Sequence, residues 1–114
     1  MDLIREIYRI TETFPQHEKY GLVSQMRRSA ISIPANIAEG HGRYSTREYL
    51  RFLAIAVGSL RELETYVDVS LDLKYLEKAE LAGLEPREER IGRMLTSLRG
   101  ALIRRLSRGR IPNP

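Results

Sequence analysis

The stretch from Ser29 to Glu48, SAISIPANIAEGHGRYSTRE, constrains the fold more than any other part of the chain. It reads as a helix with a proline in its body, a Gly-His-Gly stop, a basic Arg-Tyr pair and a new helix start. A proline inside a helix costs about 3 kcal/mol, because its ring displaces a carbonyl and it donates no hydrogen bond. With Asn36, Glu39, Arg43 and Ser45 close by, Pro34 marks a built hinge rather than a random loop. Asn36 and Glu39 are expected to be structural, supporting the Ala30 carbonyl that Pro34 leaves free or the N-terminus of the next helix.

Apolar periodicity gives four helical segments, and no stretch alternates like a strand. The first carries Leu3, Ile7, Ile10 and Phe14 and ends at the Phe14-Pro15 step. The second carries Val23, Met26, Ala30, Ile33 and Ile37 and stops at Gly40, where glycine would take the left-handed backbone that closes a helix. Ser45 and Glu48 spell a capping box at the start of the third, with Tyr44 and Tyr49 placed as a hydrophobic staple. One stripe of this helix runs Leu50, Leu53, Val57, Leu60, Glu64, Val67, Leu71. A second face carries Tyr49, Phe52, Ala56, Leu63 and Tyr66. Two apolar faces place the helix either at the centre of a bundle or against another subunit. The subunit contact is favoured, with Tyr49, Phe52, Leu63 and Tyr66 as its interface.

The fourth segment has Ile91, Leu95, Leu98, Leu102 and Leu106 and ends near Gly109 and Pro112; Pro86 either opens it or kinks a longer helix. Short connections favour antiparallel neighbours, so the expected fold is an all-α, up-down-up-down four-helix bundle over residues 1–106. Residues 107–114 read as a basic tail. Glu64 is the anomaly in this pattern, since an unpaired buried carboxylate is costly. A polar layer of Gln25, Arg28, Ser59 and Glu62 or Glu64 is expected to compensate it.

Little in the chain points to a reaction. There is no cysteine, which removes disulfides and thiolate chemistry together. His17 and His41 are the only histidines and fit no zinc pattern, Gly40-His41-Gly42 lacks phosphate-loop spacing, and no serine sits in G-x-S-x-G. The expectation is a protein that is not an enzyme and has neither cofactor nor metal. No apolar run approaches the roughly 20 residues that span a bilayer, and no leader precedes the first helix, so a cytoplasmic protein without a membrane partner is expected.

The functional signal is the arginines. Of 19 basic residues 16 are Arg, and the net charge of +4 divides into −2 over residues 1–85 and +6 over residues 86–114. Arg43, Arg47 and Arg51 lie four apart, while Arg99, Arg104, Arg105, Arg108 and Arg110 crowd the fourth helix and tail. Guanidinium forks on phosphates, with Tyr44 or Tyr49 stacking on bases, would bind RNA or DNA with little sequence preference. The same charges also suit a solvated face, or an adaptor that docks an acidic protein.

The stretches FPQHEKYGLVSQMRRSAISIPANIAEGHGRYSTREYLRFLAIAVGSLRELETY and IGRMLTSL resemble the four-helix-bundle family known from intervening sequences of 23S ribosomal RNA genes. The resemblance implies an antiparallel bundle assembled as a ring-like homopentamer. That family includes accessory proteins of diversity-generating retroelements, which implies a reverse transcriptase and its RNA as partners. In a ring, each Arg cluster would repeat into a continuous positive rim. The chain starts later than the family pattern, so either its start is misplaced or a short first helix leaves one flank of the bundle less covered.

Overall fold

The computed structural model describes residues 1–109. They form four α-helices and, among the described residues, no strand: α1 Asp2–Thr11, α2 Leu22–His41, α3 Thr46–Asp72 and α4 Lys78–Gly109, with a 3-10 turn at Gln16–Glu18. The molecule is a rod of 64 × 24 × 20 Å. Its length is set by α4, whose 32 residues span about 48 Å at 1.5 Å per residue.

The predicted stripes are the core. Leu3, Ile7, Ile10 and Phe14 are buried, as are Val23, Met26, Ala30 and Ile33, then Leu53, Leu60 and Val67, then Ile91, Leu95 and Leu102. Each fully buried aliphatic side chain contributes roughly 1.5–3 kcal/mol relative to exposure. The short α1 is fastened to α2 by Arg27, whose Nε donates to Thr11 Oγ1 at 3.0 Å and whose guanidinium lies 4.5 Å from the Tyr8 ring centroid. At the far end Tyr75 closes the rod, with its hydroxyl donating to Glu18 at 3.1 Å and its ring against Phe14.

Several expectations change. Pro34 is not a hinge: α2 runs unbroken from Leu22 through His41. The helix ends one residue beyond Gly40, and no glycine takes a positive φ among the described residues. Gly40 serves a different purpose. A Cβ there would lie 2.8 Å from Phe52 Cβ and 2.9 Å from Tyr49 Cδ1, so only glycine lets α2 approach α3 this closely. Of the two readings left open for Pro86 the longer helix holds: α4 starts eight residues earlier at Lys78 and continues through it. Beside the hydrogen bond that Pro86 cannot make, Arg87 donates to the Gly83 carbonyl. α4 runs to Gly109, where its spacing placed the end, while Arg110 lies outside the described residues.

Part of the second apolar face of the third helix is also used within one chain. Ala56 and Leu63, from the face assigned to another subunit, are 0% exposed. Leu63 therefore belongs to the core and not to an interface. The central position of α3, in contact with both α2 and α4, accounts for much of its greasy width.

The buried carboxylate is also not the expected one. Glu64 is half-exposed and pairs with Arg61 at 2.6 Å. Glu88 is the carboxylate inside, 5% exposed. Its position follows from spacing, since Leu84, Glu88, Ile91 and Leu95 are all buried at intervals of 4, 3 and 4 along α4. Desolvation, then the negative charges of Glu64, Asp68 and Glu85, push its carboxyl up from 4.5 to about 7. Folded protein thus binds a proton that the unfolded chain releases, so this contribution is fully present below about pH 4.5 and is lost as pH rises to about 7. Two to three pKa units correspond to a loss on the order of 3 kcal/mol. Glu88→Gln should therefore be more stable than the parent at pH 8 and nearly equal to it at pH 4.5, as measured by urea unfolding at the two pH values.

Candidate nucleic-acid interface

The connection between α2 and α3 is four residues, Gly42 to Ser45. Ser45 caps α3 by accepting from the Glu48 amide at 3.3 Å. The reciprocal half of the expected box is replaced: Glu48 accepts from Arg51 Nη2 at 3.0 Å instead. The staple is not formed either, because Tyr44 is fully exposed and Tyr49 packs edge-on against His41 at 5.8 Å.

Around this turn the arginines adopt a specific arrangement. Arg43 sits in the turn, pairs with Glu39, and stands 5.0 Å from the Phe52 ring centroid. Arg51, one turn into α3, stands 4.8 Å from the same centroid. Phe52 thus contacts two guanidiniums, each held by its own carboxylate. Exposed ion pairs of this kind contribute about 0–1 kcal/mol and are weak enough to exchange for a phosphate. The ring contacts contribute a similar amount each. Arg47 is exposed and makes no ion pair among the described residues. A hollow of about 340 Å³ at the turn is lined by Ala38, Glu39, Gly42, Arg43 and Tyr44.

On α4, Arg104, Arg105 and Arg108 are exposed, and none forms an ion pair among the described residues. Arg99 differs, being half-buried with a buried Nε that lacks a hydrogen-bond partner. It is a poorer phosphate ligand than the other three.

The expected polar layer is rebuilt around other residues. Gln25, Arg28 and Glu62 are exposed, and none of their side chains meets Ser59. Ser59 Oγ instead lies 2.7 Å from Ser32 Oγ, which accepts from Asn36 Nδ2 at 2.9 Å. Asn36 is structural as expected, but it donates to the Ser32 carbonyl at 2.8 Å and not to that of Ala30. Glu39 is the partner of Arg43 and supports no helix carbonyl. Sequence reasoning missed Ser32 because a lone serine in an apolar helix carries no charge to attract notice. It missed Glu88 because the stripe was begun at Ile91, after Pro86. Among the described residues no group of three His, Asp or Glu side chains is arranged to hold a metal ion, and no helix is long and apolar enough to cross a membrane.

A family model described as "23S rRNA-intervening sequence protein" matches residues 1–97. Among solved structures, the chain is similar to a crystal structure of a protein with unknown function from the S23 ribosomal protein family of Bacteroides thetaiotaomicron. The two are 22% identical, with a TM-score of 0.72 over 83% of this chain and 86% of that one. No curated protein matches. At this identity the neighbour speaks for the fold alone.

Coupling energies separate the observed polar contact from the expected one. A double-mutant cycle on Ser32 and Ser59, each to Ala, should give a coupling of about 0.5–1 kcal/mol, whereas Arg28 and Glu62 should give about zero.

Proposed function

The chain belongs to the 23S rRNA-intervening sequence protein family, and we propose that it is a non-enzymatic helical bundle that binds RNA or DNA through guanidinium groups at one end. The observation that carries this reading is the Phe52 contact. Two arginines, each also paired with a carboxylate, are held against one ring, in the same turn and first helical turns as an exposed Arg47 and Tyr44. Preorganised forks lose less side-chain entropy on meeting a phosphate than free ones do. An exposed tyrosine beside them offers a stacking surface that every base can use.

An antiparallel up-down-up-down arrangement is part of the proposal. It is supported by contacts whose numbers rise in one helix as they fall in the next: Met26 with Ser70, Ser32 with Ser59, Gly40 with Phe52. For the last pair of helices, Gly92 lies against Leu60, and Glu88 and Glu64 line the same hollows. Counting 13 residues from Leu60 back to Arg47, and 13 from Gly92 on to Arg105, moves about 20 Å along each helix. The two Arg clusters then share an end of the rod.

Self-association into a ring, with five copies as the resemblance implies, would repeat that end around an axis. Its support is apolar surface that a single chain leaves open: Ile55, Met94 and Ile103 are 43%, 45% and 50% exposed. Half-buried Tyr49, Phe52 and Tyr66 remain interface candidates. An RNA setting is in keeping with the family's description, a reverse transcriptase would be the protein partner in its retroelement branch, and such roles belong in the cytoplasm.

Fluorescence anisotropy with labelled single-stranded RNA and duplex DNA tests the reading. Affinity should fall with salt at a logarithmic slope of about −0.7 to −0.9 per phosphate engaged. Replacing Arg47, Arg104 and Arg105 together by Ala should flatten that slope by about 2–3. Absence of binding at low salt would overturn it in favour of an adaptor that docks an acidic protein on the same arginines. Light scattering should find an assembly of five chains, and a single-chain mass would remove the ring.

A further inference from the structure

The chain is net basic, yet α3 and α4 enclose a cleft that is net acidic. Two hollows of about 570 and 230 Å³ share Glu64, Glu88 and Glu89 in their walls, so they form one continuous cleft. Asp68 and Glu85 line the narrower hollow, Arg61 and Arg93 the wider one. Both arginines are already engaged, Arg61 with Glu64 at 2.6 Å and Arg93 with Glu89 at 3.8 Å. Asp68, Glu85 and Glu88 are left with no ion pair among the described residues.

Glu88 turns this acidic wall into a site. It is more than nine-tenths buried and lines both hollows. The groups that bear on its charge are acidic from both helices, Glu64 and Asp68 on α3 and Glu85 on α4, and none donates a hydrogen bond to it. A buried carboxylate without a partner is a net cost to the fold, which an apolar residue at this stripe position would avoid. A bound cation supplies the missing partner.

The spacing selects the kind of cation. A metal ion draws its oxygen ligands to about 2.0–2.6 Å of a single point, and no group of acidic side chains among the described residues is arranged that way. Glu64 and Asp68, like Glu85 and Glu88 or Glu89, stand instead on successive turns, where neighbouring Cβ atoms are about 5–6 Å apart. Charges strung along a flexible chain at several-ångström intervals match such a ladder. From this we infer that the α3–α4 cleft is a binding site for a linear polyamine, with one ammonium seated on Glu88 and others on Asp68 and Glu85. The inference is independent of the nucleic-acid reading, because none of the proposed phosphate-binding arginines lines the cleft.

Isothermal titration of the full chain with spermidine tests it. Binding should saturate at one spermidine per chain at pH 8. Between pH 8 and pH 6 the affinity should fall about tenfold, as the fraction of ionised Glu88 falls through its raised pKa of about 7. Glu88→Gln should weaken binding about tenfold at pH 8 and abolish that pH dependence. Asp68→Asn should weaken it with the pH dependence retained. The Arg47, Arg104 and Arg105 variant should bind as the parent does, so failure here is distinguishable from failure of nucleic-acid binding. Absence of saturable binding at pH 8, an equal response to Mg²⁺ at matched ionic strength, or unchanged affinity in Glu88→Gln would overturn the proposal.

Discussion

The close seam between α2 and α3 determines where every other feature falls. Three contacts of different chemistry hold it. Gly40 removes the side chain that would collide with Phe52 and Tyr49, the Ser32–Ser59 hydroxyl pair fixes register, and Ser70 reaches Met26 at 3.5 Å. A shift of one helical position would separate the two hydroxyls, leaving Ser32 its bond from Asn36 and the buried Ser59 without this partner, at a cost of about 1–3 kcal/mol. The seam therefore has one comfortable register. That register brings Phe52 up to the α2–α3 turn, where Arg43 and Arg51 can both reach it.

Most of the core was legible because burial in helices follows a period that a single sequence displays. Leu3, Ile7, Ile10, Met26, Ile33, Leu53, Leu60 and Leu95 all lie where the 3–4 spacing puts them, each at 1% exposure or less. What the period could not reveal is which of two adjacent apolar faces meets which neighbour. Leu63 looked available to another chain only because a stripe says that a face is greasy, not how many partners surround it. The polar errors share one cause. The polar layer expected of Gln25, Arg28, Ser59 and Glu62 needs these residues to agree in azimuth as well as in level along the rod, and a single sequence does not display azimuth between helices. Arg28 and Glu62 both point to water.

Proline misled at one position and left a second open, for a common reason. Pro34 suggested a hinge and Pro86 either a start or a kink, and both lie inside continuous helices. The intrinsic penalty of about 3 kcal/mol is a property of an isolated helix. In the rod it competes with burial of Ile33 on one side and Leu84 on the other, both 0% exposed. Side chains also act next to the gaps, Asn36 on the Ser32 carbonyl and Arg87 on the Gly83 carbonyl. Tertiary packing overrides local preference here, and Glu88, two residues after Pro86, is buried on the helix that this override keeps continuous.

On α4 every acidic side chain lies at or before Glu89, among Lys78 and Arg87, and only arginines carry charge beyond it. Glu88 and Arg105 are 17 residues apart in one helix, about 25 Å at 1.5 Å per residue. The screening length at physiological salt is about 8 Å. Three screening lengths isolate the acidic cleft from the basic end, so neither field cancels the other even though the chain sums to +4. Net charge therefore describes this protein poorly. A rigid helix lets opposite charges coexist in one small domain without collapsing onto each other, because the intervening Ile91, Leu95 and Leu102 are committed to the core and hold the two poles apart.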